Sequence, residues 1–237
     1  MGIVLNDSQN LFMLQTRSNS YAFGIDNQGL VRHLYWGSRI NAMEDFEMPE
    51  LAEVSTNDPV YEITKEEFPI YGGLRYKEHC LKVTFADGTR DVAYEYVNYE
   101  IQKNEQCEEL VIILKDKHYA LVMELHYKIY EAYDLMERFV VLKNESTEVM
   151  QIEKLHSGQF HVPYEGLNFR NVHGHWGAEQ QKFVQKVDYG KIIFENRRGI
   201  SSHNHNPYFI LDQDATETTG NCLLYTSPSP RDMRRSR

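Results

Sequence analysis

Cysteine is scarce in this chain of 237 residues. The three cysteines, Cys80, Cys107 and Cys222, lie far apart, and an odd count without CxxC spacing argues against a zinc site or a disulfide framework. No apolar run is long enough to cross a bilayer. The first ten residues, MGIVLNDSQN, lack the basic start and the apolar stretch of a signal peptide. These absences predict a cytoplasmic protein with no membrane partner.

Basic residues are also fewer than acidic residues. The chain has 25 Lys and Arg residues against 35 Asp and Glu, which gives a formal net charge of -10. An acidic chain repels phosphate backbones, so a nucleic-acid partner is not expected. The sequence also lacks a GxSxG motif, a phosphate-binding loop and a Cys/His pair in a catalytic context. It therefore identifies no catalytic residue, and we expect no cofactor and no metal.

Aromatic residues are abundant, with 16 Tyr and 11 Phe, and they favour strands because flat rings pack well on pleated sheets. Tyr21, Phe23 and Ile25 alternate before a turn at 26–29, and 30–36 returns, which predicts a hairpin. A second hairpin is predicted from 81–85 through the turn 86–89 to 92–96.

Further strands follow along the chain. The continuous apolar run 110–114 predicts a strand that is buried on both faces, and residues 121–129 alternate. Shorter strands are predicted at 139–142, 150–155, 192–194 and 208–211. Many short strands separated by turns predict an all-β fold, an antiparallel sandwich or barrel.

Three stretches break this pattern. Residues 44–68 are acidic and mixed, which predicts a long excursion across the surface, and 158–177 are rich in Gly, Asn, His and aromatic residues. After Gly220, the residues NCLLYTSPSPRDMRRSR have no apolar periodicity and switch to positive charge. We therefore expect one β-sandwich domain over residues 1–220 and a disordered, non-native tail over 221–237.

Trp176 is the candidate for ligand contact, because it stands beside Gly177 in a polar stretch. An indole can stack on the apolar face of a sugar, although a Trp is equally often part of a core. Two histidine clusters are candidate metal ligands: His173, His175, His203 and His205. No Cys or acidic spacing completes a ligand set, so the favoured interpretation is that these side chains bond to loop backbone.

Several blocks, in order, carry a resemblance: SYAFGIDNQGLVRHLYWGSRI, EFPIYGGLRY, FADGTR, YDLMERFVVLKN, VHGHWGAE and ENRRGISSHNHNPYF. Together they resemble glycoside hydrolase family 36 α-galactosidases over nearly the whole chain up to Gly220. The resemblance implies an N-terminal antiparallel β-supersandwich of the galactose mutarotase type. In that family a (β/α)8 barrel follows, and two aspartates of the barrel hydrolyse terminal α-D-galactosides such as raffinose and melibiose with retention. The chain is expected to stop before this barrel and to be inactive alone.

The resemblance also implies site residues and partners. Trp176 matches a tryptophan that lines the substrate pocket of the family. An acidic residue is expected directly after a Pro-x-Leu triplet, but Ala52 follows Leu51 here, so Glu53 is a displaced candidate for substrate binding. The implied partners are the α-galactoside substrate, the protein's own barrel and neighbouring subunits of a homo-oligomer.

Two other functions stay open at this stage. The chain could be a non-catalytic carbohydrate-binding or scaffold β-sandwich. It could also be an aldose epimerase-like enzyme, which requires a His/Glu pair in a sandwich cleft for proton transfer to the sugar ring.

Overall fold

The computed structural model describes residues 2–43, 46, 48, 65–73, 75, 77–162, 165–195, 204–214 and 222–225, the last of these as backbone only. Within these residues, two short 3₁₀ helices, Asp7–Gln9 and Glu131–Tyr133, connect strands. The strands are β1 Ile3–Asn6, β2 Leu11–Gln15, β3 Asn19–Ile25, β4 Val31–Ser38, β5 Leu81–Thr84, β6 Tyr94–Lys103, β7 Glu108–Asp116, β8 Leu121–Tyr130, β9 Leu135–Asn144, β10 Gln151–Leu155, β11 Asn168–His175, β12 Ala178–Lys186, β13 Tyr208–Asp212 and β14 Cys222–Tyr225.

The chain divides into two compact units, Met1–His161 and Val162–Arg237. The first unit contains sheets with the strand orders β1-β2-β3-β4, β6-β7-β8-β9 and β10-β5, and the second contains the sheet β12-β11-β13-β14. Neighbouring strands pair antiparallel in each of these sheets. The predicted all-β antiparallel fold class is therefore confirmed.

The core of the first unit lies where the inner faces of its sheets meet. The Phe23 ring on β3 stacks on the Tyr127 ring of β8 with centroids 4.8 Å apart. The inward side chains of β7 and β8 are buried and alternate along both strands: Leu110, Ile112, Leu114, Leu121, Met123, Leu125, Tyr127 and Ile129. Val111 on the opposite face of β7 is also buried, as the continuous apolar run predicted.

The first predicted hairpin is confirmed as β3–β4. Ile25 pairs with Val31, and the Asp26 carboxylate accepts hydrogen bonds from the backbone N–H groups of Gln28 and Leu30, each at 2.9 Å. Gly29 has a φ of 78°, a left-handed conformation that glycine adopts at little cost. Local turn chemistry thus fixes this reversal.

The second predicted hairpin is wrong. Its turn forms, because the Gly88 N–H donates to the Phe85 carbonyl at 2.9 Å, but β5 pairs with β10 and β6 pairs with β7. Residues 90–93 lead the chain away into another sheet. Alternation and a turn motif specify a reversal, whereas the choice of partner strand depends on long-range packing.

Three smaller predictions also need correction. Residues 192–194 form no strand, and the polar stretch 158–177 contains β11. Residues 66–68 are fully buried, although they end the stretch predicted to cross the surface. The residues of that stretch from 49 to 64 lie outside the described part of the chain.

The stretch predicted to be a disordered tail contains β14. Its residues Cys222–Tyr225 pair antiparallel with β13, in the register Tyr208↔Tyr225. The sequence CLLY is apolar and aromatic, which suits a strand. The other tail residues, 221 and 226–237, lie outside the described residues, so the prediction for them is untested.

Candidate functional site

Trp176 lies at the tip of the hairpin that joins β11 and β12. His175 pairs with Ala178, so Trp176 and Gly177 form the two-residue connection. The side chain of Trp176 is 90 % exposed. Trp176 is therefore not a core residue in this structure, and its indole ring is available to a ligand or a partner surface.

Two glycines shape this tip. Gly177 has a φ of 79°. At Gly174, a Cβ atom would lie 2.7 Å from the Ala178 carbonyl oxygen and 2.8 Å from the Cα of Glu179. These neighbours are backbone atoms that cannot swing away, so only glycine allows the strands to approach this closely. The sequence HGHWG thus produces a tight turn that presents Trp176.

The base of the hairpin is anchored within the second unit. Phe169 stacks between Phe194 and Phe209, with ring centroids 4.8 and 5.0 Å away. Nη2 of Arg170 on β11 donates to the Asp212 carboxylate of β13 at 3.2 Å. The Asn206 amide donates to the Val172 carbonyl at 2.9 Å. An anchored base and an exposed tip hold Trp176 in a defined position without burying it.

The other predicted site residues are less informative. Glu53 and His203 lie outside the described residues. The rings of His173 and His205 face each other across a β-bridge with centroids 6.4 Å apart, and His175 is exposed. Within the described residues, no group of three or more His, Cys, Asp or Glu side chains is arranged to hold a metal ion. No described helix is long and apolar enough to span a membrane.

Sequence reasoning missed a buried charge cluster in the first unit, centred on the Glu67 carboxylate. Its Oε1 atom accepts a 2.6 Å hydrogen bond from the Tyr21 hydroxyl and lies 2.9 Å from Nδ1 of His33. Its Oε2 atom lies 2.8 Å from Nη1 of Arg138 and accepts a 3.1 Å bond from the Tyr127 hydroxyl. Glu67 is fully buried, and the side chains of Arg138 and His33 are 2 % and 3 % exposed.

The surroundings of this cluster set its protonation states. Burial alone would raise the pKa of the Glu67 carboxyl, but the charge of Arg138 and the hydrogen bonds from His33 and Tyr21 outweigh burial and lower the pKa. Burial and the Glu67 charge raise the pKa of Tyr21 well above its usual range. Burial also raises the pKa of Tyr127 well above its usual range. The cluster is therefore an ionic Glu67–Arg138 pair whose carboxylate is bonded by two neutral phenols.

A second ionic group adjoins the first. Nε of Arg32 donates to the Asp26 carboxylate at 2.7 Å, and Nε of Arg75 donates to the Glu66 carboxylate at 3.1 Å. Arg32 and Glu66 are themselves 3.7 Å apart. Glu66 thus contacts the buried Arg32 of β4, and Glu67 contacts the buried Arg138 of β9. These pairs fix residues 65–67 against the two strands.

The cluster contains the His/Glu pair that an epimerase would need, but the pair is not placed for proton transfer to a sugar. Both side chains are buried, and the carboxylate oxygens are already occupied by Tyr21, Tyr127 and Arg138. A general base must reach the proton that it removes. The geometry therefore favours a structural role for His33 and Glu67.

The sequence did contain a signal for this cluster. Arg32 and Arg138 each sit among apolar residues of a strand, in LVRHLYW and MERFVV, and Glu66-Glu67 runs directly into Phe-Pro-Ile. Charged residues in such surroundings are buried only when they are paired. The Glu67–Arg138 pair spans 71 residues of chain, so the separate motifs could not reveal it.

The family model of the glycosyl hydrolase family 36 N-terminal domain matches residues 29–226. The chain is 27% identical over 235 residues to a protein named probable alpha-galactosidase G of Aspergillus terreus, across 91% of this chain and 32% of that protein. It is 25% identical over 246 residues to a bifunctional alpha-galactosidase/sucrose kinase of Mediterraneibacter gnavus, across 94% of this chain and 26% of that protein.

Solved structures agree in fold. The alpha-galactosidase from Lactobacillus brevis superposes with a TM-score of 0.79 at 22% identity, across 90% of this chain and 32% of that one. A variant of the Geobacillus stearothermophilus α-galactosidase AgaA in complex with raffinose gives a TM-score of 0.78 at 24% identity, across 89% of this chain and 33% of that one. The chain thus spans about a third or less of the length of these relatives. On the match over residues 29–226, the chain belongs to glycosyl hydrolase family 36, as its N-terminal domain.

Proposed function

We propose that this chain is the N-terminal part of a retaining α-galactosidase that hydrolyses terminal α-D-galactosides of the raffinose and melibiose type. Curated relatives with α-galactosidase names match more than nine-tenths of the chain. The two catalytic carboxylates of retaining hydrolysis belong to the barrel that the resemblance implies. In this proposal the chain supports the reaction and does not carry out the bond cleavage.

The observation that carries the proposal is the exposed Trp176 at the hairpin tip. Tryptophan offers a large flat apolar face, which suits the apolar face of galactose. Apart from the flanking residues, no atom of the described residues lies within 4 Å of where a Cβ of Gly177 would stand, so a ligand can approach the indole from that side. Trp176 therefore serves as a stacking platform that guides the galactoside toward a catalytic centre. Glu53 is proposed as a second, polar contact to the substrate.

We also propose that the chain takes part in subunit assembly in the cytoplasm. Several large apolar side chains of the second unit are exposed: Val162, Trp176, Val184, Tyr189 and Ile193. Contiguous exposed apolar surface often marks an interface that a partner covers, and we propose that these side chains contribute to such a surface. The protein's own barrel or a neighbouring subunit is the partner that fits this proposal. Light scattering on the purified chain tests it, because self-association is expected and a clean monomer at high concentration would count against it.

The main experiment compares this chain with the longer protein encoded by its gene. Turnover of a chromogenic α-galactoside is expected from the longer protein and not from the purified chain. Turnover by the chain alone well above the blank would refute the division of roles, and an inactive but folded longer protein would refute the activity.

The alternative is a non-catalytic carbohydrate-binding domain, and the same exposed Trp176 favours it. Binding of raffinose to the purified chain, measured by calorimetry, discriminates between the two functions. Measurable binding that is lost in Trp176→Ala, together with a longer protein that lacks turnover, would favour the alternative.

A further inference from the structure

The four residues 158–161, here called the connector, end the first unit immediately before Val162 begins the second. The connector is half-buried on the first unit. Among the described residues, no backbone–backbone hydrogen bond joins the connector to another segment, whereas the flanking strands β10 and β11 each pair with another strand. Side-chain contacts therefore hold the connector in place.

Arg138 makes the central contact. From β9, its Nη1 donates to the Gln159 carbonyl at 3.2 Å, while Nη2 donates to the Glu67 backbone carbonyl at 2.7 Å. One planar guanidinium thus bonds two segments that are far apart in sequence. The fixed fork of arginine donors permits this geometry, and the single ammonium of lysine does not.

Gly158 fits against the same guanidinium. A Cβ atom at this position would lie 2.6 Å from both Cζ and Nε of Arg138, closer than side-chain atoms approach. The Arg138 side chain cannot swing away, because Glu67 holds it on the other side at 2.8 Å. The absence of a side chain at position 158 is therefore a requirement of the contact.

Two more residues of the connector, Phe160 and His161, contact the first unit. Phe160 packs on Trp36 with ring centroids 5.6 Å apart, and the Arg138 guanidinium lies 5.3 Å from the Phe160 ring. Nε2 of His161 lies 3.0 Å from the Glu66 carbonyl oxygen. The connector is thus bonded to the residue 66–67 segment and to β9, both of which belong to the buried charge cluster.

We propose that Arg138 and Gly158 form a latch that seats the connector on the first unit, and that this latch opens while the sandwich remains folded. Segments held by few side-chain contacts open at lower free energy than ladder-bonded strands. An open latch frees the chain segment from which the second unit begins. Arg138 is a positioning residue, because it acts by holding the connector in place. The proposal does not depend on the proposed galactosidase function.

Trp36 provides a reporter for the latch. The chain has 2 tryptophans, so Trp176→Phe leaves Trp36 as the only one. In this background, Gly158→Ala should increase acrylamide quenching of Trp36 and speed chymotryptic cleavage after Phe160, on the order of tenfold, because an added methyl group overpacks the fitted contact. The far-UV circular dichroism should not change. Cleavage after Tyr189, which is fully exposed, is the internal reference.

Two further variants sharpen the test. Ser157→Ala alters the neighbouring exposed residue and should change neither readout. Arg138→Lys keeps the positive charge beside Glu67 but cannot bond both carbonyls, so it should open the connector as Gly158→Ala does. Unchanged quenching and cleavage in both Gly158→Ala and Arg138→Lys would overturn the proposal.

The Trp176→Phe chain without a latch substitution gives a second test, which holds even if the latch variants do not fold. Cleavage after Phe160 should depend only weakly on urea, because local opening exposes little surface. If this cleavage instead follows the full urea dependence of global unfolding, the latch does not open independently and the proposal fails.

Discussion

At the scale of single residues, the buried Glu67 carboxylate contacts four side chains, those of Tyr21, His33, Tyr127 and Arg138. Removing one partner of a buried ion pair is costly, because the other charge is left without compensation. Glu67→Gln keeps the shape but removes the charge opposite Arg138. We expect this substitution to lower the free energy of unfolding by about 3–5 kcal/mol in urea denaturation. Glu124→Gln on the outer face, where Glu124 pairs with exposed Lys143, is the matched control and should cost less than about 1 kcal/mol.

The same variant tests the pH dependence. The pKa of Glu67 is lower in the folded state than in the unfolded chain, so the folded state binds fewer protons and stability rises with pH. The contribution is complete above the unfolded value of about 4.3 and is lost as pH falls through the lowered folded value. The stability difference between the unsubstituted protein and Glu67→Gln should therefore shrink below about pH 4. A difference that stays constant down to pH ~3 would mean that Glu67 does not carry this charge.

At the scale of elements, the sequence predicted what depends on neighbouring residues. The β3–β4 hairpin followed from alternation and the Asp26–Gly29 turn, and β7 and β8 followed from their apolar patterns. The pairing of β5 with β10 could not be predicted, because these strands are separated by more than 60 residues. The apolar pattern of each strand is also compatible with other partner strands. Trp176 was predicted to lie in a polar loop, and the structure places it in the turn between β11 and β12. The Glu67 cluster could not be predicted, because it depends on contacts between distant strands.

The hairpin tip yields a prediction for the β11–β12 element. Gly174→Ala would place a methyl group against the backbone of Ala178 and Glu179 and should separate the strands near the tip. Amides of β12 close to the turn should then exchange faster with deuterium, while the thermal stability of the first unit stays unchanged. His175→Ala, at the adjacent exposed position, is the control. Unaltered exchange near the tip in Gly174→Ala would show that the close approach is not needed.

At the scale of the whole molecule, the end of the chain separates into two parts. Residues 226–237, Thr226 followed by SPSPRDMRRSR, have few apolar groups, and we predict that they contribute nothing to the fold. Deleting 226–237 should leave the melting temperature unchanged. Deleting 221–237 also removes β14, the hydrogen-bonded neighbour of β13, and should destabilise the second unit. Equal melting temperatures for both deletions would show that β14 contributes nothing.

We propose that this domain presents Trp176 to the galactoside of a longer enzyme, and the most direct test is a single substitution. In the full-length protein, Trp176→Ala should raise KM for raffinose by about fivefold or more, since stacking on indole contributes on the order of 1 kcal/mol. Because Trp176 is exposed, the same substitution should change the free energy of unfolding by less than about 0.5 kcal/mol. An unchanged KM, or a stability loss of about 3–5 kcal/mol, which is typical of a buried Trp, would contradict the claim.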